Sequence, residues 1–552
     1  MSLRPQAVPP IPEETARVAR AAFPRGNLYL LLRDELGALV EDQDFASLFP
    51  ARGQPAAAPW RLALVTLFQF IEGLSDRAAA DAVRSRLDSK YALSLELTDS
   101  GFDPSVLCEF RARLLEGGAE KLLFDKLLAV CRERKWLKRR GRQRTDSTHV
   151  LAAVHAYNRL QCAVETLRRA LNALAVAAPD WLRAHARPEW PERYAPRAFD
   201  HYVPPEKGAR QAHAELVGAD GDLLLSAIYA PDAPPWLREV PAVETLRRVW
   251  VQQFYPRGGL ARWRTDKEGI PPARLVVSSP YDVDARLGRK RKTQWVGYKV
   301  YLTETCDEGR PHLITHVTTS SAPVADGVVT PQVHRSLKAK RLLPRTHLVD
   351  TGFLDAALLA ASRRDYKVEL VGPTRPDYKW QKRAGAGFEA ARFRIDWEKQ
   401  EATCPAGWTS SSWTPSADRQ QNPVIRIKFA MTDCKRCPSR VLCAGKEARR
   451  TLTIRPEAQY KALQAARARE QTPEYAQEYA RRAGVEGTIS QAVRAFGARR
   501  CRYLGAAKTH LQQVLTATAL NLVRVANWLT EVPLAQTRQT AFVKLMRQPA
   551  TC

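Results

Sequence analysis

Two acids stand inside apolar, β-branched runs: Asp146 in "TDSTHVLAAV" and Asp350 in "THLVDTGF". A carboxylate in an apolar strand is costly unless it binds a cation or accepts hydrogen bonds. Asp350, directly ahead of "TGF", is also placed to cap the helix that follows. A third acid, Glu486, is the one acid among seven basic residues between Arg481 and Lys508. Tyr479, Arg482 and Glu486 fall at i, i+3 and i+7, so one helical face carries all three if the helix runs on through Gly484. The competing acids Glu369, Glu398 and Glu478 lack this basic setting. Three such carboxylates suit phosphodiester chemistry. Hard cations such as Mg²⁺ (or Mn²⁺) take oxygen ligands, and a pair of them activates an attacking oxygen and stabilises a leaving one. One sheet and one helix suffice to present the set.

Four cysteines make a second constellation: Cys404, Cys434, Cys437 and Cys443, spaced C-x29-C-x2-C-x5-C. A C-x2-C knuckle is a recurrent half of tetrahedral zinc sites. No histidine lies between His347 and His510, so a closed local site needs all four thiolates. The flanking "EATCPAGW" and "KFAMTDCKRCPSRVLC" are turn-rich with little apolar material, a deficit that structural Zn²⁺ would remedy. Free thiols that merely pack are the alternative; a redox role lacks the surrounding βαβ unit.

The elements that must position these groups follow from pattern and composition. A chain of 552 residues with 45% hydrophobic residues has material for about three or four units. Its net charge of +28 points to a polyanionic partner, above all nucleic acid. The leader "MSLRPQAVPPIPEE" has no signal-peptide pattern, and the longest apolar run, Leu62 to Ile71, is too short to cross a membrane. A cytoplasmic, nucleoid-associated protein without a membrane partner is expected.

Residues 1–58 read as a Pro-rich lead segment, and 59–139 as a helical domain. There, two helices meet at Gly73 with Ser75 as N-cap, as in a helix-turn-helix. The run Arg132–Arg144 holds eight basic residues, Arg139, Arg140 and Arg142 among them, and abuts the Asp146 strand. Residues 151–275 read as a helical insertion. After a second basic run, Arg286–Lys292 with Lys290, Arg291 and Lys292, strand and helix signals alternate. That order implies an α/β fold with a mixed sheet flanked by helices. The basic runs supply phosphate affinity, so binding should weaken steeply with salt.

"TDST", then "HLVDTGF", then Y-x2-R-x3-E resembles the DDE-type transposases of bacterial insertion sequences, whose catalytic core is RNase-H-like. The stretch Gly73–Leu114 is similar to the helical N-terminal domain of that group, and "VEGTISQAVRAFGARRCRYLGAAKTHLQ" to its C-terminal catalytic region. The resemblance spans about residues 40 to 530. It implies that Asp146, Asp350 and Glu486 bind the metal and that Tyr479 and Arg482 contact DNA near the cut. The family's extended motif places a Lys seven residues after the Glu. Here that position is Val493, and Arg494 and Lys508 are the neighbouring cations. The catalytic domain is expected over 140–530, with the insertion at 151–275, a small Cys-rich insertion at 375–455 and a tail at 531–552.

The expected function is binding of the element's terminal inverted repeats, metal-dependent cleavage and strand transfer into target DNA, by a homodimer or larger assembly. A DNA-binding protein derived from a transposase but lacking nuclease activity, or an RNase-H-like nuclease acting on RNA or junctions, would share the basic surface. His149 alternates to the strand face opposite Asp146 and reads as a packing residue. Asp282 and Asp284 read as charge balance for the nearby basic run, and Asp326 as a partner behind the acids.

Overall fold

The computed structural model describes residues 1–198, 206–533 and 540–547; the expected tail 531–552 therefore falls partly outside the described residues. Strands are numbered in chain order. β1 (Arg142–Leu151) is followed by the short hairpin β2 (Phe254–Arg257) and β3 (Leu260–Trp263). Next come β4 (Arg286–Lys290), β5 (Thr293–Thr305), β6 (Ile314–Ser321), β7 (Thr346–Leu348) and β8 (Glu369–Val371). These build one mixed sheet in the order β4-β5-β1-β7-β8, with β6 beside β4 along the same edge of β5. β5 lies antiparallel to β1, whereas β1, β7 and β8 run parallel.

β1 begins inside the first basic run rather than after it, because residues on both faces of the strand there find buried partners, Gln143 the Leu342 carbonyl and Arg144 the Glu304 carboxylate. Arg144 and Gln143 are both buried. The second basic run becomes β4 and the tight turn into β5, with Arg291 at φ 54°. Between β1 and β4 the helices Arg159–Ala177, Lys207–Ile228 and Pro241–Gln253 close on a hydrophobic core of their own, which includes Leu167, Val217, Leu246 and Trp250. After β8, β9 (Arg394–Asp396) pairs with β10 (Glu401–Thr403), and β11 (Ser410–Ala417), β12 (Pro423–Phe429) and β13 (Thr451–Ile454) form a small sheet around Phe393, Ile427 and Phe429.

The long helix Ala506–Leu529 packs against β6 and also against the helices Pro59–Glu72 and Leu122–Glu133, so the N-terminal helices and the sheet share one apolar core. Residues 1–58 join it: helices Glu13–Ala22 and Leu28–Leu36 form there, and Tyr29, Leu32 and Phe45 are buried in or against that core. Asp282 and Asp284 do more than balance charge. They accept the Gly505 and Ala506 N–H groups at 3.2 and 3.1 Å, serving the otherwise unpaired amides that open the long helix. Among the described residues no helix is long and apolar enough to cross a membrane.

Three buried histidines and the half-buried His510 lie around the sheet. His347 bonds Thr145 at 2.6 Å and His334 at 2.9 Å, His316 bonds Thr318, and His510 meets Thr319. Burial pushes His334 and His510 down to about 4 and His316 to about 3, with Lys340 and Lys121 adding to the effect on the last two; His347 falls as well. A ring held neutral in the fold but protonated when unfolded contributes stability above its ordinary value near 6.5, and this is lost as pH falls toward the folded value. His316, His334 and His510 are each worth on the order of 3 kcal/mol across that window. The urea midpoint is therefore expected to fall steeply between pH 6.5 and 4. A flat midpoint across this range would show that the rings titrate freely.

Candidate active site

Asp146 lies mid-strand in β1, opposite Leu302 of β5. The parallel register of β1 with β7 pairs Arg144 with Leu348. Two residues further along both strands are Asp146 and Asp350, so the sheet delivers the two acids side by side at the end of β7. Asp350 leaves the strand in extended conformation and accepts the Gly352 N–H at 2.8 Å, opening the turn Thr351–Phe353; Asp355, not Asp350, caps the helix Ala356–Tyr366. Gly352 lets the two carboxylates crowd this turn. A Cβ there would stand 3.1 Å from Asp350 Oδ1 and 3.2 Å from Asp326 Oδ2.

The third acid arrives on a helix. Helix Pro473–Ala480 passes through a 3-10 turn at Arg481–Ala483 into Gly484–Phe496, so the helical course continues through Gly484 with one tightened turn. Gly484 permits the approach to β1, since a Cβ would meet the Arg144 guanidinium at 2.2 Å. Tyr479 stacks on Tyr475 at 5.6 Å, and both pack over Cys306, Leu348 and Val371.

Arg482 joins the acids. Its Nη2 donates to Asp146 Oδ2 at 2.7 Å and its Nη1 to Glu486 Oε1 at 3.1 Å, while its buried Nε has no partner. The Asp146 and Arg482 side chains are each 12% exposed and Glu486 is 67% exposed, so the pair is walled in and Glu486 stands at the rim. Burial pushes the Asp146 carboxyl above its ordinary value, opposed by Arg482 and the Ser147 N–H and reinforced by the charge of Asp350. Burial likewise raises the Tyr479 phenol; Arg482 opposes this, and Asp350, Asp146 and Glu486 all add to it. One phenol thus feels all three carboxylates.

Three oxygen donors of this kind suit a hard divalent cation. As the side chains stand, a guanidinium spans Asp146 and Glu486, and no three His, Cys, Asp or Glu groups among the described residues converge on an ion position.

Residues that the sequence did not single out hold the helix in place. Glu304 of β5 is fully buried and accepts from Arg144 Nε at 2.7 Å, Arg524 Nη1 at 2.7 Å and Thr488 Oγ1 at 2.6 Å. The two guanidiniums outweigh burial and hold its carboxyl below the ordinary range. Thr488 lies two residues beyond Glu486, so this cluster anchors the helix that carries the third acid. Beneath Gly352, Asp326 accepts from Lys299 Nζ at 3.0 Å and Tyr301 Oη at 3.1 Å, bracing the Asp350 turn from behind. Asp326 was one candidate for such a partner, with nothing in the sequence to decide it, whereas Lys299 was hidden in the alternation of "GYKVYL".

Of the expected phosphate contacts, Arg139, Lys290, Arg291, Lys292, Arg494 and Lys508 are exposed and make no ion pair among the described residues. Lys290 stands near enough to act on Asp146. Arg142 instead pairs with Glu478 at 2.7 Å, and Arg140 donates to the Tyr366 and Lys367 carbonyls. His149 packs toward Trp295, with ring centroids 5.4 Å apart.

The four cysteines form no disulfide and line one pocket with Phe429 and Arg450. Cys404 accepts the Trp408 N–H at 3.3 Å and Cys434 the Arg450 N–H at 3.5 Å. Cys443 lies within electrostatic reach of the other three.

Comparison with protein families finds a transposase DDE domain over residues 403–526 and a transposase domain, DUF772, over residues 17–113. The two matches together support a DDE-type insertion-sequence transposase. The first match takes in Tyr479, Arg482, Glu486 and all four clustered cysteines; the second takes in the N-terminal helices up to Arg113. Asp146 and Asp350 lie outside both windows; the register of β1 and β7 sets them side by side, and Arg482 ties Asp146 to Glu486. Among curated proteins nothing matches the chain.

Proposed function

We propose that this transposase binds the ends of its element, cuts DNA there by metal-dependent hydrolysis, and joins the exposed 3′-hydroxyl to target DNA. The observation that carries the reading is Arg482 spanning Asp146 and Glu486 with Asp350 in electrostatic reach. It ties an acid of β1 to one on the helix Gly484–Phe496, with the acid that follows β7 close enough to act on the same guanidinium. The sheet order, antiparallel through β6, β5 and β1 and parallel through β1, β7 and β8, supports an RNase-H-like core.

Asp146, Asp350 and Glu486 would hold Mg²⁺ or Mn²⁺, which when bound polarises a phosphoryl oxygen and lowers the pKa of attacking water. The chain's own residues supply the rest. Arg482 must release at least one of its two carboxylates before the acids can share a cation, and is then free, with Tyr479, to grip the DNA backbone beside the cut. Lys290, Arg494 and Lys508 extend the positive border for phosphates. Cys404, Cys434, Cys437 and Cys443 would hold structural Zn²⁺ by closing their sulfurs inward. Paired element ends call for at least two chains, working on the nucleoid.

The test is cleavage by the purified chain of DNA carrying the native element ends, with Mg²⁺ and with chelator, alongside elemental analysis. Cuts at the ends with Mg²⁺ alone, and zinc retained by the wild type but lost on Cys434→Ser/Cys437→Ser, are the expected results. Binding without cleavage under both conditions would favour a DNA-binding derivative of a transposase.

A further inference from the structure

The unit inserted between β1 and β4 carries a groove remote in sequence from the acids. It is walled by the helix Lys207–Ile228 on one side and by the β2–β3 hairpin with the segment after it on the other. Seven Arg or Lys and three acids stand among its twenty lining residues, a positive excess about four times the chain average. Two of the acids are already satisfied: Glu215 binds Arg262 at 2.5 Å, and Glu268 accepts the Thr265 hydroxyl at 2.6 Å.

The arginines of the floor are fixed. Arg159 donates to Gln253 at 2.7 Å and covers the Trp263 ring at 4.7 Å, and Arg264 donates to the Phe254 carbonyl. The rim is different. Lys207 from one wall, and Arg257 and Lys267 from the other, are exposed and make no ion pair among the described residues. The walls are locked together from within, where Gly218 and Gly221 of the helix admit the Phe254 and Trp250 rings. The groove is therefore preformed, with fixed cations below and free ones on both lips.

We propose that this groove is a second DNA-contact surface that grips the sugar-phosphate backbone of a duplex through Lys207, Arg257 and Lys267, independently of base sequence. The covered Trp263 ring leaves charge, rather than base stacking, as the recognition chemistry. The proposal rests on the DNA reading above and adds a site to it.

The experiment measures binding of the full chain to a random-sequence duplex across a salt series, for wild type, Arg257→Glu/Lys267→Glu and the control Arg183→Glu/Arg187→Glu. The control makes the same charge change on exposed residues of the same unit outside the groove. Loss of two phosphate contacts lowers the log–log salt slope by about 2 and the affinity by roughly one to two orders of magnitude. The control is expected to keep the wild-type slope. A groove variant indistinguishable from the control overturns the proposal while leaving the functional reading intact. A wild-type chain that binds no duplex at all overturns both.

Discussion

Asp146→Asn is expected to lower strand cleavage by about 10³-fold, the scale on which loss of a group that stabilises charge at a reacting centre is felt. Binding to end DNA should change little. The substitution keeps the shape of the side chain and an oxygen for the Ser147 N–H, and removes its charge together with the acceptor that holds Arg482. Asp350→Asn should behave alike, because its turn depends on an oxygen accepting the Gly352 N–H, which an amide oxygen also provides. Cleavage and binding measured on the same preparations, with thermal melts to show intact folding, decide the matter. Binding that falls in step with cleavage, or cleavage that survives both substitutions, would remove these acids from the chemistry.

Glu304→Gln should produce the largest loss of stability. It leaves the Arg144 and Arg524 guanidiniums facing a neutral group in a site closed to water, and breaking one partner of a buried ion cluster costs about 3–5 kcal/mol. Cleavage should fall as well, because Thr488 and Arg144 tie the helix bearing Glu486 to the sheet through this carboxylate. Thr488→Val separates the two effects. It deletes one hydroxyl donor and should cost only about 1 kcal/mol, yet it loosens the same helix two residues from the acid. Chemical denaturation gives the first quantity and single-turnover cleavage the second. A Thr488→Val chain with wild-type cleavage and an unchanged denaturation midpoint would show that Glu304 serves packing elsewhere.

The acids were legible because each broke a local pattern: Asp146 and Asp350 interrupt apolar strands, and Glu486 is alone in a basic field. Glu304 broke none. In "YLTETC" it reads as the polar phase of an alternating strand, and its partners lie 160 residues before it and 220 after it. The same limit governs the basic run. Composition distinguishes neither Arg142, which finds Glu478 across the fold, nor Arg144, which is buried, from Arg139, which stays in solvent. The helices of the Pro-rich start were hard to read because their partners lie further along the chain: Glu13–Ala22 packs on Leu87 and Tyr91, and Leu28–Leu36 also meets the far helix Ala506–Leu529.

That last relation bears on how the protein is made. The ribosome releases the helix Pro59–Glu72 with nearly every side chain apolar or enclosed, while the helix that covers it, Ala506–Leu529, is still more than 400 codons away. Domains usually settle in order as they emerge. Here the first helices must wait, shielded by chaperones or by one another, until synthesis is almost finished. A message cut short, or a stop codon late in the gene, would therefore yield an aggregating fragment rather than a free-standing competitor for the element's ends.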